Sequence, residues 1–251
     1  MATIVPFQGI RFNEKTGTLN KLVTPPYDVI DAESQDTFYQ SSPYNIIRLE
    51  YGKKYGSDSQ SSNRYTRAAE LFGKWRKQEV LVKDEEPSLY LYQQEFEVNN
   101  EKIVRTGFIC GVRLEPYENG VVLPHEETMP KHKADRLELM RACKANFSPI
   151  FGLFTERERF VDKLLLETAQ GHQPDVEFTD GDNQLHRMWA ISDPAIIARI
   201  QETMGEHKVF IADGHHRYET ALAYRDERRK SDADTTGIKP YDYVMMTLVN
   251  L

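Results

Sequence analysis

The sequence is short of several things, and each shortage closes off a class of function. Only two cysteines occur in 251 residues. Cys110 and Cys143 make no disulfide framework and read as two reduced, partly buried thiols. No apolar run nears the roughly 20 residues that a membrane helix needs. Met1-Ala2-Thr3-Ile4-Val5-Pro6 has no basic stretch ahead of an apolar block, so no secretory signal is read there. Positive charge is in deficit: 32 Lys+Arg stand against 39 Asp+Glu, a net of -7. That balance argues against a nucleic-acid footprint. Gly-x-Ser-x-Gly, Gly-x-x-x-x-Gly-Lys-Ser/Thr and Gly-x-Gly-x-x-Gly are all missing, which weighs against α/β-hydrolase, P-loop and Rossmann chemistry. No internal repeat or long low-complexity block stands out. The expectation is a cytoplasmic protein with neither a membrane nor a nucleic-acid partner.

What is present suits one or two domains of ordinary globular composition, 39% hydrophobic and 28% charged. Tyr65, Ala68, Phe72 and Trp75 recur at helical spacing, in a helix that starts near Asn63. A second helix is expected over 136–145, with Leu137, Met140 and Cys143 on one face. Asp193-Pro194 is a helix start, with Ile196, Ile197, Ile200 and Met204 as its apolar stripe and Gly205 as C-cap. Residues 216–229 are rich in helix formers. The alternation from Leu89 to Val98, then Asn99-Asn100, then the run from Ile103 to Leu114 predicts a hairpin with long strands. Further strands are expected at 184–191, 208–212 and 241–251, with a short one at Asn45-Ile46-Ile47-Arg48-Leu49. Residues 51–63 and 230–239 read as loops. The fold class expected is α/β with a mixed sheet.

The strongest local feature is Val209-Phe210-Ile211-Ala212-Asp213-Gly214-His215-His216-Arg217. A buried strand runs into Asp213-Gly214, and a helix begins at about His215. Gly214 permits positive φ and close approach of a ligand to the backbone. The first N–H groups of a helix lack internal partners and carry the positive end of its dipole. An anion there gains backbone donors, with His215, His216 and Arg217 adding side-chain donors. The plainer alternative makes Asp213 an N-cap and the histidines packing residues. Two histidines and an arginine directly after Asp-Gly weigh toward the anion site, and phosphate is its natural occupant.

Val121-Val122-Leu123-Pro124-His125-Glu126-Glu127-Thr128, followed by Lys131, Lys133, Asp135 and Arg136, is the second feature. Taken alone it is a charged loop before a helix. Beside Asp213 to Arg217 it supplies a candidate general base in Glu126 or Glu127, and a carboxylate for Mg²⁺. A zinc site from His125, Glu126, His215 and His216 is a third option, against which stands the absence of His-x-x-x-His spacing or a Cys pair. Thr24-Pro25-Pro26-Tyr27-Asp28-Val29 forms a rigid turn, and Ala145-Asn146-Phe147-Ser148-Pro149-Ile150-Phe151 a helix exit with a Ser-Pro turn.

Asp213-Gly214-His215-His216-Arg217 resembles the phosphate-binding box of the ParB/sulfiredoxin-like fold. The wider pattern resembles a bacterial and archaeal family known as a domain of unknown function. Its members carry segments similar to Pro25-Pro26-Tyr27-Asp28, Leu123-Pro124-His125-Glu126, Asp135-Arg136-Leu137, Asn146 to Phe151, and Ala212 to Ala221. The resemblance implies a ParB/sulfiredoxin-like core over 121–251, behind an N-terminal α+β region over 1–120 of strands, a helix and a hairpin. Sulfiredoxin chemistry requires a cysteine where His215 stands, and ParB-type DNA binding requires helix-turn-helix segments and a basic surface.

The closest activity in that fold is that of the free-serine kinases. By that resemblance Glu126 is the general base. Asp213, Gly214, His216 and Arg217 cradle the nucleotide phosphate, and His215 stands at the variable position. Asp213 and His216 join Glu126 as catalytic residues. His125, Lys133, Arg136, Tyr27 and Asp28 are candidates for substrate binding. The cofactors implied are ATP or ADP with Mg²⁺, which is carried by the nucleotide and by Asp213 rather than by a protein metal cage. The partners are a nucleotide and L-serine or a related hydroxyl amino acid. The alternative is a nucleotide-binding switch of the ParB-like class without turnover, and a metal-dependent hydrolase is the third reading. The chain ends at Val249-Asn250-Leu251 directly after an apolar stretch, so a longer protein, truncated here within the nucleotide-binding region, is expected.

Overall fold

Asn63 shows how local sequence starts an element. Its side chain accepts from the N–H groups of Tyr65 and Thr66, while Thr66 Oγ1 accepts from the Asn63 N–H, a reciprocal capping box. The helix that follows, Arg64–Lys77, buries Ala68 and Trp75 on the expected face. In this computed structural model residues 1–126, 130–234 and 236–251 are described, with the side chains of 130–133 outside the description.

In chain order the strands are β1 (Ile4–Val5), β2 (Ile10–Phe12), β3 (Leu81–Lys83), β4 (Leu89–Val98), β5 (Glu101–Arg113), β6 (Val122–Leu123), β7 (Ile150–Phe154), β8 (Val176–Thr179), β9 (Leu185–Ile191), β10 (Val209–Asp213) and β11 (Tyr243–Asn250). The helices are α1 (Ala32–Ser41), α2 (Ile47–Glu50), α3 (Arg64–Lys77), α4 (Pro130–Cys143), α5 (Phe160–Ala169), α6 (Pro194–Met204) and α7 (His215–Ser231). The chain is therefore mixed α/β, with a mixed sheet.

The chain divides into two compact units. The first comprises Met1–Gly9, Glu85–Leu137 and Pro149–Leu251, and the second Ile10–Asp84 and Glu138–Ser148. The first unit holds a sheet in the order β6-β10-β7-β11-β5-β4-β9-β8, with β1 also paired to β5. β10–β6 and β11–β7 are parallel pairs, and the other pairs in this sheet are antiparallel. The sheet runs across residue 120, because β4 and β5 pair into the same ladder as β11 and β9. On one face Val244, Met246 and Leu248 of β11 meet Val112, Cys110 and Phe108 of β5, and all six are buried. Ile150 and Phe154 of β7 and Val209 and Ile211 of β10 are buried as well. α5 packs against β4 and β9, α6 against β1, and α7 against β7 and β11.

The Asp193 side chain caps α6 by accepting from Ala195 and Ile196 N–H, with Pro194 at the first position. Gly205 stands at its C-cap with right-handed φ of -57°. α7 is clamped by the buried Tyr218, whose hydroxyl donates to Glu115 O at 2.8 Å and accepts from Glu115 N at 3.0 Å.

The second unit pairs β2 with β3 and packs Leu49, Trp75, Val80 and Leu81 against Phe12, Tyr44 and Phe72. Here the strand expected at residues 45–49 is corrected to the helical turn α2. Asn45 Oδ1 accepts from Ile47 N at 2.9 Å while its Nδ2 donates to Lys21 O at 2.8 Å, and Ile46 N donates to Leu22 O. The side chain thereby stabilises a local turn that competes with an extended ladder. α4 begins earlier than 136, at Pro130, and among its described side chains the buried ones are Arg136, Leu139 and Cys143 rather than Leu137 and Met140. Both thiols are free. Among the described residues no helix is long and apolar enough to cross a membrane.

Candidate functional site

Parallel pairing of β6 with β10 places the two chemistry-bearing segments together. Val209 stands opposite Val122 and Phe210 opposite Leu123, so Pro124-His125-Glu126 and Asp213-Gly214 leave the sheet at the same edge. Carboxyl ends of strands in such sheets are common ligand sites. β7 runs antiparallel to β10, with Phe151 opposite Asp213, which brings its first residues to that edge too.

Gly214 has φ +94° and is the N-cap of α7. It contributes no side-chain cap, and the first bond along the helix is Tyr218 N to Gly214 O at 3.0 Å. Asp213 is not the cap. It is exposed at the end of β10, and its carboxylate accepts from Arg217 Nη2. Arg217 is buried and reaches back over Gly214, where its Nη1 donates to Pro149 O. A Cβ at position 214 would come within 2.9 Å of Arg217 Nε. The guanidinium thus braces the turn between β10 and the start of β7.

His215 is fully buried at the first position of α7. Its Nε2 accepts the His125 backbone N–H at 3.2 Å. The His125 and His215 rings stand edge to face, centroids 4.5 Å apart at 83°. His125 Nδ1 lies 2.7 Å from Ile211 O and so donates to it. The network leaves His215 protonated on Nδ1. Glu126 Oε1 lies 2.9 Å from His215 Nδ1, yet outside hydrogen-bond geometry, so the buried Nδ1 has no hydrogen-bond partner. Burial lowers the His215 pKa, an effect that the Glu126 charge only partly offsets, and the ring is held neutral.

Three potential ligand atoms from His125, Glu126 and His215 lie within 4.8 Å of one another. His216 is not in that group among the described residues. A proton on His215 Nδ1 removes it as a ligand for as long as the His125 N–H occupies Nε2. The arrangement suits an acceptor oxygen facing His215 better than a soft cation.

His216 is half-buried. Arg136 is buried, with its Nε donating to Asp135 Oδ2 at 2.9 Å. Tyr27, buried, and Asp28, exposed, form a 3-10 turn in the second unit. Glu127 and the side chain of Lys133 lie outside the described residues. Sequence reading missed the Pro149 carbonyl as an Arg217 partner and the Ile211 carbonyl that orients His125, because backbone acceptors leave no residue-type signal. The Ser148-Pro149 turn was the one available hint.

A family model described as "Protein of unknown function (DUF1015)" matches residues 4–251. No curated protein and no solved structure matches the chain.

Proposed function

We propose that this chain, which belongs to the DUF1015 family, is a small-molecule kinase that passes a nucleotide phosphoryl group to L-serine or a related hydroxyl amino acid. The β10–Gly214–α7 unit is read as the phosphate box of a ParB/sulfiredoxin-like core. The observation that carries the proposal is the buried His215 Nδ1, without a hydrogen-bond partner, at a helix N-terminus that no side chain caps. Backbone N–H groups, the helix dipole and one fixed imidazole N–H together suit a phosphate oxygen. Gly214 lets the Arg217 guanidinium lie against the backbone there, beside the proposed phosphate position.

Glu126 is exposed and sits at the same edge of the sheet. In the proposed reaction its carboxylate accepts the hydroxyl proton of the acceptor. The acceptor oxygen bonds to phosphorus, and the bond from phosphorus to the nucleotide oxygen breaks. The Asp213 and Glu126 carboxylates are hard oxygen donors that fit Mg²⁺, which when bound neutralises phosphate charge. Arg217 keeps Asp213 in place. Such catalysis rests on positioning and charge neutralisation, worth several orders of magnitude in rate when the parts are fixed. A nucleotide substrate agrees with a cytoplasmic setting.

The test is O-phosphoserine formation from L-serine with ATP or ADP and Mg²⁺, with Glu126→Gln as the control. Product from the parent and its loss in the variant support the reading. No product with either nucleotide across hydroxyl amino acids overturns it. A nucleotide-binding switch without turnover is the second reading. It is favoured by the engagement of Arg217 with Asp213 and Pro149, bonds that an arriving phosphate competes for. A rise in unfolding midpoint with nucleotide, without phosphorylated product, selects it.

A further inference from the structure

A second titratable cluster lies at the other end of the same sheet. Gln94 of β4 stands opposite Arg105 of β5 and opposite His186 of β9, and His186 stands opposite Phe178 of β8. These four residues form one row across four strands, and Tyr92 shares their face two residues along β4. His186 is buried, with the Phe178 ring stacked on it at 4.7 Å and 13°. Its Nε2 lies 2.9 Å from Asp180 Oδ2, and its Nδ1 lies 2.5 Å from the Tyr92 hydroxyl. Asp180 Oδ1 in turn accepts from the backbone N–H groups of Asp182 at 3.0 Å and Gln184 at 2.9 Å.

The direction of the chain follows from these partners. Burial acts to raise the Asp180 pKa, but the bonds from His186, Gln184 and Asp182 hold it below the usual carboxylate range. Its carboxylate is therefore an acceptor and His186 carries its proton on Nε2. Nδ1 is left to accept the Tyr92 O–H. Burial pushes the Tyr92 hydroxyl up to about 12, so the phenol stays neutral until its proton passes to His186; an acid, an imidazole and a hydroxyl in that order have the arrangement of a base-assisted nucleophile.

We propose that Asp180, His186 and Tyr92 form such a relay, and that Tyr92 Oη accepts an acyl group from a small activated ester. Tyr92 Oη bonds to the carbonyl carbon and the ester C–O bond breaks. The phenolic proton passes to His186 Nδ1 and leaves with the alcohol or phenol released, while Asp180 holds the imidazolium. An acyl donor is chosen because a neutral carbonyl adds no charge beside Asp180, whereas a phosphate does. On the same face Arg105 Nη2 donates to Gln94 Oε1 and Gln94 Nε2 to Gln184 Oε1, so a substrate carbonyl oxygen would have to compete for these donors.

The experiment treats the full chain with p-nitrophenyl acetate and follows acetylation of each tyrosine by tandem mass spectrometry. Tyr55, 50% exposed, is the internal standard. Tyr92 is expected to acylate about ten-fold or more faster than Tyr55 and to lose the group to hydroxylamine. Asp180→Asn and His186→Gln are each expected to slow Tyr92 by about ten-fold with Tyr55 unchanged. A Tyr92 rate no greater than that of Tyr55, or one that neither variant changes, overturns the proposal. If His186→Gln fails to fold, Asp180→Asn decides, and the comparison of Tyr92 with Tyr55 in the parent needs no variant at all.

Discussion

His125 donates its backbone N–H to His215 Nε2 at 3.2 Å, and the two rings stand edge to face with centroids 4.5 Å apart. The bond joins the segment after β6 to the first residue of α7, 90 residues apart in sequence. It sets the tautomer of His215 and directs its other nitrogen toward Glu126.

The buried His215 makes stability depend on pH. The folded pKa of His215 lies below its ordinary value of 6.5. The unfolded chain therefore takes up a proton first as pH falls, and stability is lost as pH drops through 6.5 toward the folded value. The unfolding midpoint is expected to fall between about pH 7 and pH 5, and His215→Gln to flatten part of that fall. Thermal denaturation of both proteins over that range checks it. Parallel curves contradict it.

At the turn, Gly214→Ala forces a side chain onto φ +94° and into the Arg217 guanidinium. A loss of about 1–2 kcal/mol is expected from the left-handed backbone alone. Denaturant unfolding measures it, and an unchanged midpoint counts against the assigned geometry.

The helix caps can be tested in each unit. Asn63→Ala opens the capping box of α3, and Asp193→Ala removes two acceptor bonds from α6. Each is expected to cost about 1 kcal/mol, and a Ser replacement to restore most of it.

Gly107→Ala probes the sheet. A Cβ there would lie 2.5 Å from Leu248 O on β11 and 2.7 Å from Val249 Cγ2. The clash is with backbone, so the β5–β11 ladder must shift, at about 1–3 kcal/mol. Chemical denaturation reads the loss directly.

The cysteines should be silent in the native state. Burial pushes the Cys143 thiol up to about 12 and the fully buried Cys110 thiol higher still. Neither is expected to react with a disulfide reagent at about pH 8 until the chain is unfolded, when both should titrate. Rapid native labelling of Cys110 contradicts its place in the core.

Much of the architecture was determined by the sequence alone, because those elements are specified locally. The β4–β5 hairpin follows from alternation on both sides of Asn99-Asn100, α6 from Asp193-Pro194 ahead of an apolar stripe, and the β10–α7 turn from Asp-Gly before helix formers. At residues 45–49 the apolar composition misled. There a side-chain amide bonding to its own neighbours made a helical turn that no periodicity announces.

Which residues meet depends on strand pairing across the sheet. Pairing of β6 with β10 brings His125 and Glu126 to His215, since sheet register is set by ladder bonds and core packing that a motif does not encode. It also makes Gly214 the N-cap of α7 and turns Arg217 inward to Pro149. Tyr92, His186 and Asp180 carry no recognisable motif and lie on separate strands and a turn. Their hydrogen-bonded chain exists because β9 pairs with β4, a contact between segments nearly a hundred residues apart.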